Sequence, residues 1–286
     1  MTLQSVSYRV FGGYAKTAAA YFPDVREELQ KANMTYTLEE WLALSGFFTV
    51  STFVVEMVVF SFIFGLFSIQ PLMAVFLSLT LSGSIAGGLL FLFYSYPGTQ
   101  AKAREVNIRK VLPFAVSYLS SIATKDAPPI FFFRTLSQFG EYGEVAKDCR
   151  TIVRDVEVFG MPLHSAIKRR ANSTPSKEFK ELLWGINNIY ASGGNINDYV
   201  SGKSNELMAD YRRRIKKYAQ DLSLFVEVYL TLIIVGAMFF IVLSSVMAAI
   251  TSGAETAVTQ SFIVFILLPL LSIGFMMLVK SISPNG

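Results

Sequence analysis

Apolar positions along the chain fall into two blocks separated by a long polar stretch. The first block runs from about Trp41 to Tyr96 and breaks at Ser68-Ile69-Gln70-Pro71. The second runs from about Leu222 to Val279 and breaks at residues 251–256. A helix needs ~20 apolar residues to cross a bilayer, and each half-block is long enough. The pattern predicts spans near Leu44–Phe67, Leu72–Phe93, Ser223–Ala249 and Phe262–Val279, paired as two tight hairpins. Pro71 suits the first turn of the second span, where a missing N–H is harmless.

Between the blocks the polar stretch lacks a period-two alternation long enough for a sheet and reads as all helical. Phe179, Leu182, Leu183, Ile186, Ile189 and Tyr190 form one apolar stripe, with Lys177, Glu178, Lys180 and Glu181 opposite. Ser173-Thr174-Pro175-Ser176 supplies capping chemistry before it, and Gly193-Gly194 ends it. Val111, Ala115, Tyr118, Leu119 and Ile122 form a similar stripe around Leu112-Pro113, and Val145–Phe159 forms a third. Gly160-Met161-Pro162-Leu163 and Gly193-Gly194-Asn195-Ile196 share a layout in which a helix stops at Gly and an amphipathic helix restarts. Asp126-Ala127-Pro128-Pro129 is a comparable corner without Gly. Pro113, Gly160, Pro162, Gly193 and Gly194 are therefore expected to be structural corners of a compact bundle. No helix breaker occurs between Lys203 and Gly236, so one helix is expected to run from about Ile196 into the third span as a rigid rod.

Composition supports a membrane protein with a soluble insert. Of the 286 residues 52% are hydrophobic, and the mean hydropathy is +0.46. Charge placement then orients the chain. Of the 25 basic residues, Arg9, Lys16, Arg26 and Lys31 precede the first span and Lys280 follows the last; all others lie between Lys102 and Lys217. Neither hairpin tip contains a Lys or Arg. Basic loops stay in the cytoplasm, so both termini and the central segment are expected there, with no cleavable signal peptide in the acidic first forty residues. Arg212, Arg213, Arg214, Lys216 and Lys217 sit where a topology stop beside anionic headgroups belongs. They lack the aromatic platform or groove-reading motif that nucleic acid would require.

Chemistry for catalysis is sparse. Cys149 and His164 are the only Cys and His, too few for an intrachain disulfide or a His/Cys zinc site. Gly202-Lys203-Ser204 resembles the end of a phosphate-binding loop, but Asn197 stands where that loop needs Gly and the context is helical. No enzyme activity and no cofactor are expected. Two acids lie in apolar segments. Glu56, in the middle of the first span, is a candidate for a contact with a polar or cationic group of a membrane partner or for a proton site, against a role in helix packing alone. Glu227, one turn into the third span, can reach the interface.

The order of these features resembles the type II secretion F-domain family, platform proteins of type IV pili, Tad pili and archaeal filaments. Leu112-Pro113, Gly160-Met161-Pro162-Leu163 with Ala166, and Thr174-Pro175-Ser176 followed by Phe179, Leu182 and Leu183 carry the resemblance. Ser192-Gly193-Gly194-Asn195-Ile196 with Tyr199, and the Arg212–Arg214 stretch, continue it. The resemblance covers about Lys102–Val279. It implies an all-α, polytopic fold, with transmembrane hairpins at 44–95 and 223–281 flanking a cytoplasmic bundle at 96–222. Residues 1–43 and 282–286 are read as a cytoplasmic helical segment and tail. It further implies a platform in the cytoplasmic membrane that couples a hexameric ATPase to pilin extraction and filament growth. The implied partners are that ATPase, pilin subunits and the bilayer. Many relatives carry two F domains in tandem where this chain has one, which implies a homodimer or a pairing with a second F-domain protein. A small-solute transporter or channel, and a membrane-anchored signalling protein, are the competing readings.

Overall fold

The computed structural model describes residues 3–67, 70–122, 128–250, 258, 261–262, 265–266 and 268–282, and every regular element among them is helical. The chain divides into two units, Met1–Lys203 and Ser204–Gly286.

In the first unit α1 (Leu3–Ala19) and α2 (Pro23–Lys31) precede two long apolar helices, α3 (Leu38–Leu66) and α4 (Pro71–Ile122). Thr37 caps α3 and Glu40 reciprocates, with Thr37 Oγ1 accepting from Glu40 N at 3.2 Å and Glu40 Oε2 accepting from Thr37 N at 2.9 Å. This Thr-x-x-Glu box satisfies two of the orphan donors at the helix start. α1 packs on α3, with Phe11 edge-on to Phe47 at 6.4 Å. Ala74, Ser78, Ser82 and Ala86 are buried at intervals of four along α4, a small-residue seam that lets the α3–α4 pair approach closely. Ser78 and Ser82 donate back to carbonyls of their own helix, so neither brings an unmet polar group into the seam.

α4 is one helix of 52 residues with Pro97 and Pro113 inside it. At 1.5 Å per residue it is ~78 Å long, and so reaches far beyond the apolar block. Pro113 was expected as a corner; instead the helix runs through it. Proline removes one intrahelical bond, and here Leu112, Pro113, Ala115, Val116 and Leu119 are all buried around it. That packing supports the helix through the gap. Pro97 has a visible compensation. Its missing N–H frees the Phe93 carbonyl, and Trp41 Nε1 donates to that oxygen at 3.2 Å. Trp41 also stacks on Tyr96 at 5.8 Å, tying the start of α3 to the middle of α4.

Beyond α4 lie α5 (Pro129–Gln138), α6 (Gly143–Glu157), α7 (Leu163–Ser173) and α8 (Lys177–Ser192). α5 packs on α6 and α7 on α8, and α4 touches α5, α6 and α8. The core of this bundle holds Leu112, Leu119, Phe132, Ile152, Ile167, Phe179 and Leu183, all at most 2% exposed. Gly160 (φ +64°) and Gly193 (φ +69°) sit in the left-handed region at the ends of α6 and α8, a conformation strained for residues with a Cβ. Pro162 precedes the first residue of α7 with extended backbone. Gly194 N donates to Ile189 O at 2.9 Å, closing α8.

α9 (Ile196–Val228) starts in the first unit and ends in the second. The second unit continues through a π-helical stretch, Tyr229–Val235, into α10 (Gly236–Ile250), and its last helix is α11 (Leu268–Ile282). The uninterrupted run was anticipated, and the π stretch was not. Tyr229 meets α11, with its hydroxyl 3.2 Å from Ser272 Oγ and its ring 4.6 Å from Phe275. Three helical runs among the described residues are long and apolar enough to cross a membrane: Leu38–Leu66, Pro71–Ile122 and Ile196–Val246. Ser68, Ile69 and residues 251–257 of the expected hairpin tips, the Asp126-Ala127 corner and part of the expected fourth span lie outside the described residues.

Two glycines make opposite predictions. A Cβ at Gly185 in α8 would overlap the ring and hydroxyl of Tyr199, whereas one at Gly202 in α9 would meet nothing within 4 Å. Gly185→Ala is expected to destabilise by about 1–3 kcal/mol through overpacking. Gly202→Ala is expected to stabilise by up to ~1 kcal/mol through helix propensity. Thermal unfolding of the detergent-solubilised variants measures both. Equal midpoints would mean that Tyr199 does not seat α9 against α8.

Candidate functional site

The basic segment lies on the part of α9 that belongs to the second unit. Arg212, Arg213, Arg214, Lys216 and Lys217 are all exposed. At 100° per residue they spread over more than half of the helix circumference. Arg213 pairs with Asp210 one turn earlier. Glu227, near the end of the same helix, is exposed. Glu56 is half-buried on α3, and its Oε2 is enclosed without a hydrogen-bond partner.

The densest polar constellation is elsewhere, in the first unit, and sequence reasoning missed it. Arg104 of α4 has a side chain 4% exposed, and all three guanidinium nitrogens are engaged. Its Nε donates to Glu144 Oε2 at 2.8 Å, its Nη1 to the Lys31 carbonyl at 2.7 Å, and its Nη2 to Asp148 Oδ1. Arg170 of α7 donates from Nη1 to the same Asp148 oxygen and to Asn33 Oδ1, each at 3.2 Å. Two cations thus face two carboxylates, with Lys147 holding the outer oxygen of Glu144 at 2.6 Å.

Local structure explains the geometry. α6 places Glu144 and Asp148 one turn apart, and Asp148 falls on the face that buries Val145, Cys149 and Ile152. An acid inside an apolar stripe requires a buried cation, and Arg104 and Arg170 supply it from two other helices. The end of α2 is shaped to meet them. Asn33 adopts φ +55°, and Met34 N donates back to Leu29 O at 3.1 Å while Asn33 N donates to Gln30 O at 3.0 Å. This is a Schellman turn with Asn at the left-handed position. It leaves the Lys31 carbonyl and the Asn33 amide oxygen facing the two guanidiniums.

Electrostatics separates the two acids. Burial pushes the Asp148 carboxyl up from its ordinary value, against the pull of Arg104 and Arg170. Its Oδ2 has no protein donor, and a proton would sit there. Burial also raises Glu144, but hydrogen bonds from Lys147 and Arg104 outweigh it and hold this carboxyl below its ordinary value. Burial lowers the Arg170 guanidinium and raises the Cys149 thiol, so Cys149 is an inert packing residue rather than a nucleophile. His164 is exposed, with Nε2 3.1 Å from Ser165 Oγ. Among the described residues, none of the His, Cys, Asp and Glu side chains form a group of three placed to hold a metal ion.

The first unit thus joins a bundle of ion-paired helices to two helices long and apolar enough to cross a membrane. In comparison with known proteins, residues 115–244 match the family model for type II secretion system (T2SS), protein F. The uncharacterized protein MJ1286 of Methanocaldococcus jannaschii is 25% identical over 198 residues, which is 66% of this chain. The matched region is 33% of that relative's length, so the chain spans about a third of it. No solved structure matches.

Removing one member of a buried ion cluster strands the others. Asp148→Ala is expected to lose ~3–5 kcal/mol of stability. Glu157→Ala, which removes an exposed pair with Arg134, is expected to lose less than ~1 kcal/mol. Chemical denaturation in detergent compares them, and equal losses would mean that the cluster is not a structural clamp. With pH the two carboxyls work in opposite directions. Stabilisation by Glu144 is present above its ordinary value of 4.5 and is lost as the pH falls below it. Proton uptake by Asp148 favours the folded form. The difference between Glu144→Gln and wild type is therefore expected to shrink between roughly pH 5 and pH 3.

Proposed function

We propose that the protein is the membrane platform of a filament-assembly machine of the type IV pilus or type II secretion kind. The observation that carries this reading is the F-domain match over residues 115–244. It spans the ion-paired bundle, the basic segment and the start of the following apolar run. In this reading the hairpins at 44–95 and 223–281 lie in the cytoplasmic membrane, and residues 1–43, 96–222 and 282–286 lie in the cytoplasm. The count of basic residues supports this orientation. A hexameric ATPase docks on the cytoplasmic bundle, and its movement passes along α9 into the membrane, where pilin subunits leave the bilayer for the filament. The protein acts without catalysis of its own. The working unit is a homodimer or a pair with a second F-domain protein.

The exposed basic stretch is the coupling element in this scheme. Arg212→Glu, Arg213→Glu and Arg214→Glu together are expected to abolish filament assembly while the protein still fractionates with membranes. Normal filament counts by electron microscopy would discard that role. Glu56, half-buried with an unpartnered oxygen, is assigned a contact with pilin or a platform partner within the bilayer. Glu56→Gln is expected to slow assembly, and a wild-type rate would exclude a required charge there. Affinity capture from solubilised membranes tests the whole reading. It should recover a hexameric ATPase and a pilin, and recovery of a solute-binding protein or a kinase in their place would overturn it.

A further inference from the structure

Within the first unit, α1, α2, α3 and α4 enclose a cavity of about 480 Å³. No charged residue lines it. Apart from Tyr14 and Tyr94, the one hydroxyl on its wall is that of Ser45, which donates to Leu42 O at 3.0 Å and makes no demand on an occupant. Two glycines, Gly46 on α3 and Gly87 on α4, keep the interior open. A Cβ at Gly87 would meet nothing within 4 Å. The cavity is therefore unfilled by design of its own wall rather than by a missing large side chain nearby.

Two physical arguments select the occupant. Water would find few polar partners on this wall, and an empty apolar space forfeits the dispersion contacts of every atom that lines it. Hydrocarbon satisfies both. The volume lies within the ~300–1,000 Å³ typical of pockets that enclose small apolar ligands. The wall also tells where the occupant comes from. Leu90 and Phe91 line the cavity and are 50% and 64% exposed on α4, so the opening is continuous with the apolar outer surface of a membrane-crossing helix. Within a turn of them on α4, Phe93 packs edge-on to Trp41 and Tyr94 packs against Phe22, aromatic chemistry of the kind found at a bilayer interface.

We propose that this cavity holds one acyl chain of a membrane lipid, entering sideways between α1 and the α3–α4 pair. The chain completes the packing between α1 and the hairpin, and it holds α1 at the membrane surface. Because the chain leaves one hydrocarbon environment for another, tight packing rather than water exclusion retains it. Exchange with the bilayer is accordingly rapid. The proposal needs α3 and α4 to lie in a membrane and is independent of what the protein assembles.

Trp41 supplies the probe. The chain has two tryptophans; Trp184 is removed by Trp184→Phe, leaving Trp41 as the only indole. Trp41 is 5% exposed yet borders the cavity, so a bromine that quenches it on contact has entered the cavity. Full-length Trp184→Phe protein is reconstituted in vesicles of phosphatidylcholine with dibrominated acyl chains and compared with unbrominated vesicles. Trp41 emission is expected to be lower in the brominated vesicles than in the unbrominated ones. Gly87→Phe and Ala18→Phe fill the cavity from opposite walls, and each is expected to abolish most of that quenching. Gly83→Phe, on α4 but away from the cavity, is expected to leave it intact. Equal quenching in the parent, Gly87→Phe and Ala18→Phe proteins would overturn the proposal, as would an unquenched parent. If Gly87→Phe does not fold by circular dichroism, Ala18→Phe decides.

Discussion

The Arg104 guanidinium is the interaction around which the first unit is organised. It is buried, it belongs to the longest helix, and its nitrogens reach a backbone carbonyl of α2 and two carboxylates of α6. A planar five-donor group is suited to this in a way that lysine is not. Its burial is tolerable only because Glu144 and Asp148 are both present, and Asp148 in turn is tolerable only because Arg170 arrives from α7. Each member makes the others affordable. Such clusters add little net stability compared with an apolar replacement, but they penalise every arrangement in which one member is missing. Here that penalty fixes the register of four helices at once.

Proline placement along α4 shows the same dependence of local irregularity on distant partners. Pro97 opens the backbone at Phe93, and the indole N–H of Trp41 closes it from another helix. Pro113 opens it again inside the bundle core, where burial on all sides keeps the axis intact. One helix therefore passes from apolar surroundings into a polar domain without a joint. In the second unit α9 turns from polar to apolar composition and is followed by a π-helical stretch at Tyr229–Val235. π turns are strained insertions often kept for function, and Tyr229 uses this one to reach Ser272 and Phe275.

Much of this was legible in the sequence. The apolar blocks, the helical stripes, the glycine at the end of α8 and the continuity of α9 follow from period, length and turn chemistry, all of which are local. What was not legible depended on contacts remote in sequence. Leu112-Pro113 reads as a break because proline removes a local bond, and only the surrounding core reveals that the helix survives. Glu144 reads as a solvated helix start because its partner, Arg104, lies forty residues earlier. A signal was nevertheless present: Asp148 falls on the apolar stripe of α6 with Val145 and Ile152, and an acid on an apolar face announces a buried cation. Gly185, an isolated glycine inside a helical pattern, likewise marked the close approach of Tyr199. The basic run at Arg212–Lys217 was easy to see because a surface charge cluster needs no partner to be recognised.

The cluster also bears on how much of the chain the F domain needs. The family match begins at residue 115, yet three groups that complete the ion network precede it: the Lys31 carbonyl, the Asn33 side chain and Arg104. The bundle within the matched segment would by itself leave Asp148 buried with one cation rather than two. The N-terminal segment is therefore a structural part of the domain and not an appendage. Its position has a mechanical consequence. The α3–α4 pair is attached to the bundle at two places, through the unbroken backbone of α4 and through α2, whose Schellman turn leads directly to the Thr37 cap of α3. A single attachment would let the hairpin swivel about α4. Two attachments with a buried charge network between them tie the α3–α4 pair to the bundle at both ends of that network.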